Sequence, residues 1–160
     1  MNTKTLLVTA AFPLIGLLAP NSARAGITDS LGLWEGTGTA SEASGKDLGV
    51  FTVSLTRKSI GNAKVRADGK VTLANGQVIV FWQEIEDHGP TGFRLVSNNG
   101  AGGGHCYANA MCQTYEERAD GHAFATTIVK DGADKLRILI TELDQGKAVR
   151  VFQQTLSKKP

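Results

Sequence analysis

The chain has 160 residues, with 17 Lys and Arg against 15 Asp and Glu. That length suits one domain with a core of adequate size. Two of the basic residues, Lys4 and Arg24, fall in the first 25 positions, which hold no acid, so the other 135 residues balance at 15 and 15. A formally neutral body gives no electrostatic argument for binding nucleic acid or an anionic membrane surface.

The N-terminal stretch MNTKTLLVTAAFPLIGLLAPNSARAG has Lys4 as the only charge before an apolar segment from Leu6 to Ala19, and then Ala23-Arg24-Ala25. The apolar segment is shorter than the ~20 residues a membrane span needs. Charge, short apolar core and small-x-small ending, in that order, predict a secretory signal peptide over residues 1–25, cut before Gly26. Residues 26–160 are then one exported domain, secreted or held in a bacterial periplasm. The residue directly after the cut is Gly26 and not a cysteine, and no later apolar run could span a bilayer, so no membrane anchor is expected.

From Leu33 onward the chain alternates and turns often. Phe51, Val53 and Leu55 are separated by Thr52 and Ser54, a period of two. Asp68-Gly69, Asn75-Gly76, His88-Gly89-Pro90, Asp120-Gly121 and Gln145-Gly146 break the pattern. Asn-Gly and Asp-Gly suit the primed turns that match strand twist. The expected strands are 33–40, 49–58, 63–67, 70–74, 77–86, 92–97, 112–118, 122–130, 135–143 and 147–156. No segment shows a sustained 3.6-residue period. The fold class is therefore all-β: an antiparallel up-and-down meander of about 8–10 strands. Closure into a barrel removes the sheet edges, and a β-sandwich is the alternative. Asn98 to Met111 is expected as one long loop, and long loops in compact domains are often functional.

Cys106 lies in that loop, and Cys112 opens the strand expected after it. The spacing matches neither C-x-x-C nor C-x-x-C-H, and zinc ribbons need further ligands. In an exported protein two nearby cysteines are expected to pair as a disulfide, with Cα atoms about 4.4–6.8 Å apart.

Gly32-Leu33-Trp34 begins the first expected strand. It resembles the G-x-W opening of lipocalin and calycin barrels, and the W-x-G-x-G form is similar to small fatty-acid-binding-like and nitrobindin-like barrels. The resemblance implies a calycin-like barrel in which Trp34 closes one end and an arginine near the last strand packs over it. Arg150, in KAVRVFQQTL, is the candidate for that cation–π partner.

Trp82 and Phe81, in VIVFWQEIE, are the aromatics expected to flank a ligand. Alternation puts them on opposite faces, so at most one lines the interior. Trp82 is the preferred residue, because its indole joins apolar area to an N–H donor. The alternative for Trp82 is plain core filling. Of His88, His105 and His122, His105 adjoins Cys106 and could ligate haem iron, the one cofactor considered. Against that stands the ordinary reading of a solvent-facing loop histidine. Glu84 and Glu86 share a strand face and could act as a carboxylate pair or simply form a solvated face; Glu116 and Glu117 form a second acidic cluster. No nucleophile elbow, zinc-protease, EF-hand or phosphate-loop motif occurs, so neither catalytic nor metal-ligating residues are assigned.

Three functions fit these features. The first is binding of a small, largely apolar ligand within the barrel. The second is a protein-interaction module. A small exported barrel with one disulfide resembles periplasmic metalloprotease inhibitors, whose N-terminal segment would correspond to Gly26–Ser30. The third is an isomerase or cyclase on a barrel scaffold, the least favoured because no catalytic motif supports it. A hollow interior would favour binding or catalysis, and a filled one a surface function.

Overall fold

A computed structural model describes residues 30–89, 92–107 and 111–160. The expected signal peptide and its cut site lie outside the described residues. Ten strands follow one another: β1 (Gly32–Glu42), β2 (Asp47–Gly61), β3 (Lys64–Leu73), β4 (Val78–Asp87), β5 (Phe93–Ser97), β6 (Gly100–Tyr107), β7 (Met111–Arg118), β8 (His122–Lys130), β9 (Lys135–Asp144) and β10 (Lys147–Lys158). Each pairs antiparallel with the next, and β1 pairs with β10, so a single sheet closes into a barrel. The sandwich alternative is thereby set aside.

The turns that form are those whose residues accept positive φ. Gly76 and Gly121 take φ of 82° and 87°, and Gln145-Gly146 takes 47° and 78°. Asp68-Gly69 does not turn. It lies inside β3, with Gly69 opposite Phe81 of β4, so the two short strands expected there are one. A Cβ on Gly69 would stand 2.3 Å from the Phe81 ring. The glycine is a seat for that ring rather than a hinge. Phe51 lies over Gly38 and Phe93 over Gly104 in the same way, each pair directly opposite across neighbouring strands.

The expected loop from Asn98 to Met111 is also corrected. Residues 100–107 form β6, paired with β5 on one side and β7 on the other. Cβ atoms on Gly100, Gly102 and Gly104 would approach the carbonyl oxygens of Glu117, Tyr115 and Gln113 to 1.9, 1.8 and 2.3 Å. The glycines therefore permit a close approach of backbones in extended strand, a second use of glycine that a turn-based reading overlooks. Gly36 on β1 is similar, its Cβ position lying 1.9 Å from the Thr155 carbonyl oxygen. β1 and β6 stand five strands apart round a ring of ten. The wall thus has its tightest backbone approaches on opposite sides, as expected where glycine kinks close a barrel.

The alternating residues of β2, β9 and β10 supply most of the core. Phe51, Val53, Leu55, Leu136, Ile138 and Leu156 are buried together with Trp34 and Ala67.

Candidate functional site

Antiparallel pairing gives the barrel two ends. One, the tryptophan end, carries the starts of β1, β3, β5, β7 and β9 and the finishes of the even strands. At this end a cavity of about 190 Å³ runs from mid-barrel to the rim. Its walls are mainly apolar: Val53 and Leu55 from β2, Ile85 from β4, Leu95 from β5, Ile138 and Ile140 from β9. Phe81, Phe93 and Trp34 add ring faces. Gln83, Thr114, Thr126 and Gln154 bring scattered hydrogen-bonding groups. Arg57, Met111, Lys130 and the two cysteines stand towards the rim. Every one of these strands alternates, so burial of one parity fixes which side chains look inward.

Trp34 is 1% exposed, and its indole N–H donates to the Ser30 carbonyl oxygen at 2.9 Å. The cation beside its ring is Lys158, with Nζ 5.8 Å from the ring centroid, and not Arg150. Antiparallel register explains the correction. The start of β1 lies against the finish of β10, with Trp34 opposite Lys158, whereas Arg150 lies opposite Glu42. Arg150 is eight positions from Lys158, about 26 Å along an extended strand.

Of the two aromatics on β4, Phe81 lines the cavity. Trp82 faces outward, with the Arg66 guanidinium 4.2 Å from its ring. Arg66 also donates to Asp68 and Glu84, at 3.0 and 2.8 Å. The preference for Trp82 as the inward residue is therefore reversed by register: Gly69, on the inward face of β3, is opposite Phe81, and Asp68, on the outward face, is opposite Trp82. Glu84 and Glu86 share the outer face, where Arg66 and Lys64 pair with them.

Cys106 and Cys112 form a disulfide. They sit directly opposite each other on β6 and β7, and their Cα atoms are 4.0 Å apart, closer than the expected window. The bond cross-links two paired strands at the cavity's rim rather than clasping an open loop.

Two buried acids belong to no motif in the sequence. Glu116 accepts from Ser97 Oγ at 2.5 Å and from Gln83 Nε2 at 3.3 Å. Ser97 Oγ in turn accepts from the backbone N–H groups of Asn99 and Gly100, at 2.8 and 3.0 Å. At the far end Glu142 lies 3.2 Å from Arg150 Nε and 3.2 Å from His122 Nδ1. His122, the first residue of the expected strand 122–130, thus faces the interior. His105 stands on the rim with its ring 4.8 Å from that of Tyr107. None of the three histidines lines the cavity. The signal for Glu116 and Glu142 was their parity with inward apolar neighbours, such as Ile140 two positions before Glu142. It is weak, because strands in such barrels also carry acids outward.

Arg57 continues the inward face of β2 after Phe51, Val53 and Leu55 and lines the cavity. Its Nε is sealed from solvent and lacks a hydrogen-bond partner; other atoms of the residue keep some exposure. Burial pulls the guanidinium down from its ordinary value to about 10, so it stays charged at neutral pH. The sequence does not single it out, since RK after an alternating strand reads as an exposed strand end.

No family model matches this chain, and no curated relative matches it. Solved structures do. The S-type phycobiliprotein lyase CPES from Guillardia theta superposes with a TM-score of 0.65 at 11% identity, covering 83% of this chain and 90% of that one. A DUF3598-family protein of unknown function from Nostoc punctiforme gives 0.62 at 12%, covering 83% of this chain; the match spans 49% of that longer protein. EF1p2_mFAP2b bound to DFHBI gives 0.51 at 11%, covering 84% and 97%. At these identities the likeness is one of fold. Together these neighbours fit a calycin-like barrel fold and assign no family.

Proposed function

We propose that this protein is an exported barrel that holds a small, largely apolar ligand in the cavity at its tryptophan end. The observation that carries this reading is the cavity itself: about 190 Å³, walled by aliphatic and aromatic side chains and reaching the rim. An apolar cavity of about 150 Å³ suffices for benzene, whereas drug-sized ligands occupy about 300–1,000 Å³. The volume therefore suits a ligand of one or two rings. Support of a coarser kind comes from fold neighbours, one named as a phycobiliprotein lyase and another bound to DFHBI. The N-terminal pattern of charge, apolar core and Ala23-Arg24-Ala25 supports export; N-terminal sequencing of the exported protein should begin at Gly26.

The binding test uses the two tryptophans. In a Trp82→Phe background Trp34 is the sole indole, and it lines the cavity. Toluene or cyclohexanol entering the cavity should change its emission saturably and raise the melting temperature. Native mass spectrometry of protein purified from its own cells should show a retained small molecule. If neither probe ligand moves either signal and nothing is retained, the binding reading fails and a surface interaction takes its place.

A further inference from the structure

Among the described residues the cavity is lined by two basic side chains, Arg57 and Lys130, and by no Asp or Glu. Arg57 is the more telling. Among the described residues it makes no ion pair, and its shielded Nε has no acceptor. The nearest inward acid by register is not available to it. Arg57 lies opposite Ala67, and Ala67 lies opposite Gln83, but Gln83 and Ser97 hold Glu116. At the far end a buried carboxylate is paired, as Glu142 with Arg150 shows. A buried guanidinium without an anion is costly unless something else supplies one.

We infer that the ligand is a small apolar carboxylate, its ring or alkyl body in the cavity and its anionic group received by Arg57 near the rim. This rests on the binding reading above. Across the sheet Arg57 lies opposite Gly32 on β1 and Ala67 on β3, with the Lys158 side chain over Gly32. A planar guanidinium offers paired N–H groups in the geometry that a carboxylate accepts. Lys130, on the opposite arc of the rim, adds a second positive charge but no such fork.

Isothermal titration of the full-length exported protein with benzoate, and with benzamide as its neutral match, tests this. Benzoate should bind about tenfold or more tightly than benzamide, the effect of one charge-assisted contact. Arg57→Met should erase that preference, and Arg57→Lys should retain part of it. Melting curves confirm that each variant folds. If benzamide binds as well as benzoate to the natural protein, or if Arg57→Met keeps the preference, the assignment of Arg57 is overturned and the cavity reading survives. If neither compound binds but toluene does, the carboxylate inference fails alone. If none binds, both readings fail.

Discussion

At the far end of the barrel Glu142 is buried between His122 and Arg150, while at the tryptophan end Arg57 is shielded with no anion beside it. The surroundings differ as much as the charges do. Phe51 and Phe152 meet edge to face, with centroids 6.3 Å apart, and with Leu73, Val71 and Ala40 they fill the far end. The tryptophan end keeps its cavity open with equally apolar strands. The contrast shows where a fold leaves polarity unresolved. Paired buried charges are structural, and an unpaired one beside empty volume marks the place where a partner belongs.

Substitutions can test this contrast. The largest effect is expected at Trp34, which closes the hollow end and is 1% exposed. Trp34→Ala should destabilise by about 3–5 kcal/mol in chemical denaturation; a loss below about 1 kcal/mol, small for a buried large-to-small change, would mean that the far end alone holds the barrel together. Arg57→Met and Arg150→Ala should then act in opposite directions. The Arg57 guanidinium is lowered to about 10. Because the unfolded chain binds that proton more tightly, the burial cost is present in full below the folded value and lifts only as pH rises from there towards the ordinary guanidinium value. Removing the charge should therefore stabilise the ligand-free protein at neutral pH, by about 1–3 kcal/mol after allowance for its partial exposure. Arg150→Ala leaves Glu142 buried with His122 alone and should destabilise by about 1–3 kcal/mol. Equal signs for the two would undo the distinction between the ends. The smallest effect is expected at Trp82, whose ring carries Arg66 on the outer surface. Trp82→Ala should cost about 1 kcal/mol or less and leave ligand affinity unchanged. A ligand response lost in Trp82→Ala would return the site to the outer face.

How much of this is legible in the chain depends on which physical rule each residue obeys. The parity of Phe51, Val53 and Leu55 declares the inward face of β2 from the sequence alone, because a period of two survives in every sheet geometry. The same parity carried one step further places Arg57 inside, but a strand end and a charge together read as solvent. Glycine misleads for a related reason. Gly69 and Gly100 to Gly104 resemble turn residues locally, yet their use is to accept a ring or a neighbouring backbone, and those contacts come from other strands.

The all-β class, the antiparallel order and most turns were written in the chain, through local alternation and turn chemistry, which act over a few residues. The pairing of Cys106 with Cys112 rested on the expected export, and the closing role of Trp34 on the resemblance of Gly32-Leu33-Trp34 to calycin openings. Three outcomes came from the folded barrel alone: Lys158 rather than Arg150 meets Trp34, Phe81 rather than Trp82 looks inward, and Arg57 faces a cavity without a counter-charge. They are fixed by register and closure. Register selects which distant residues become neighbours, and closure decides whether the space they enclose is filled.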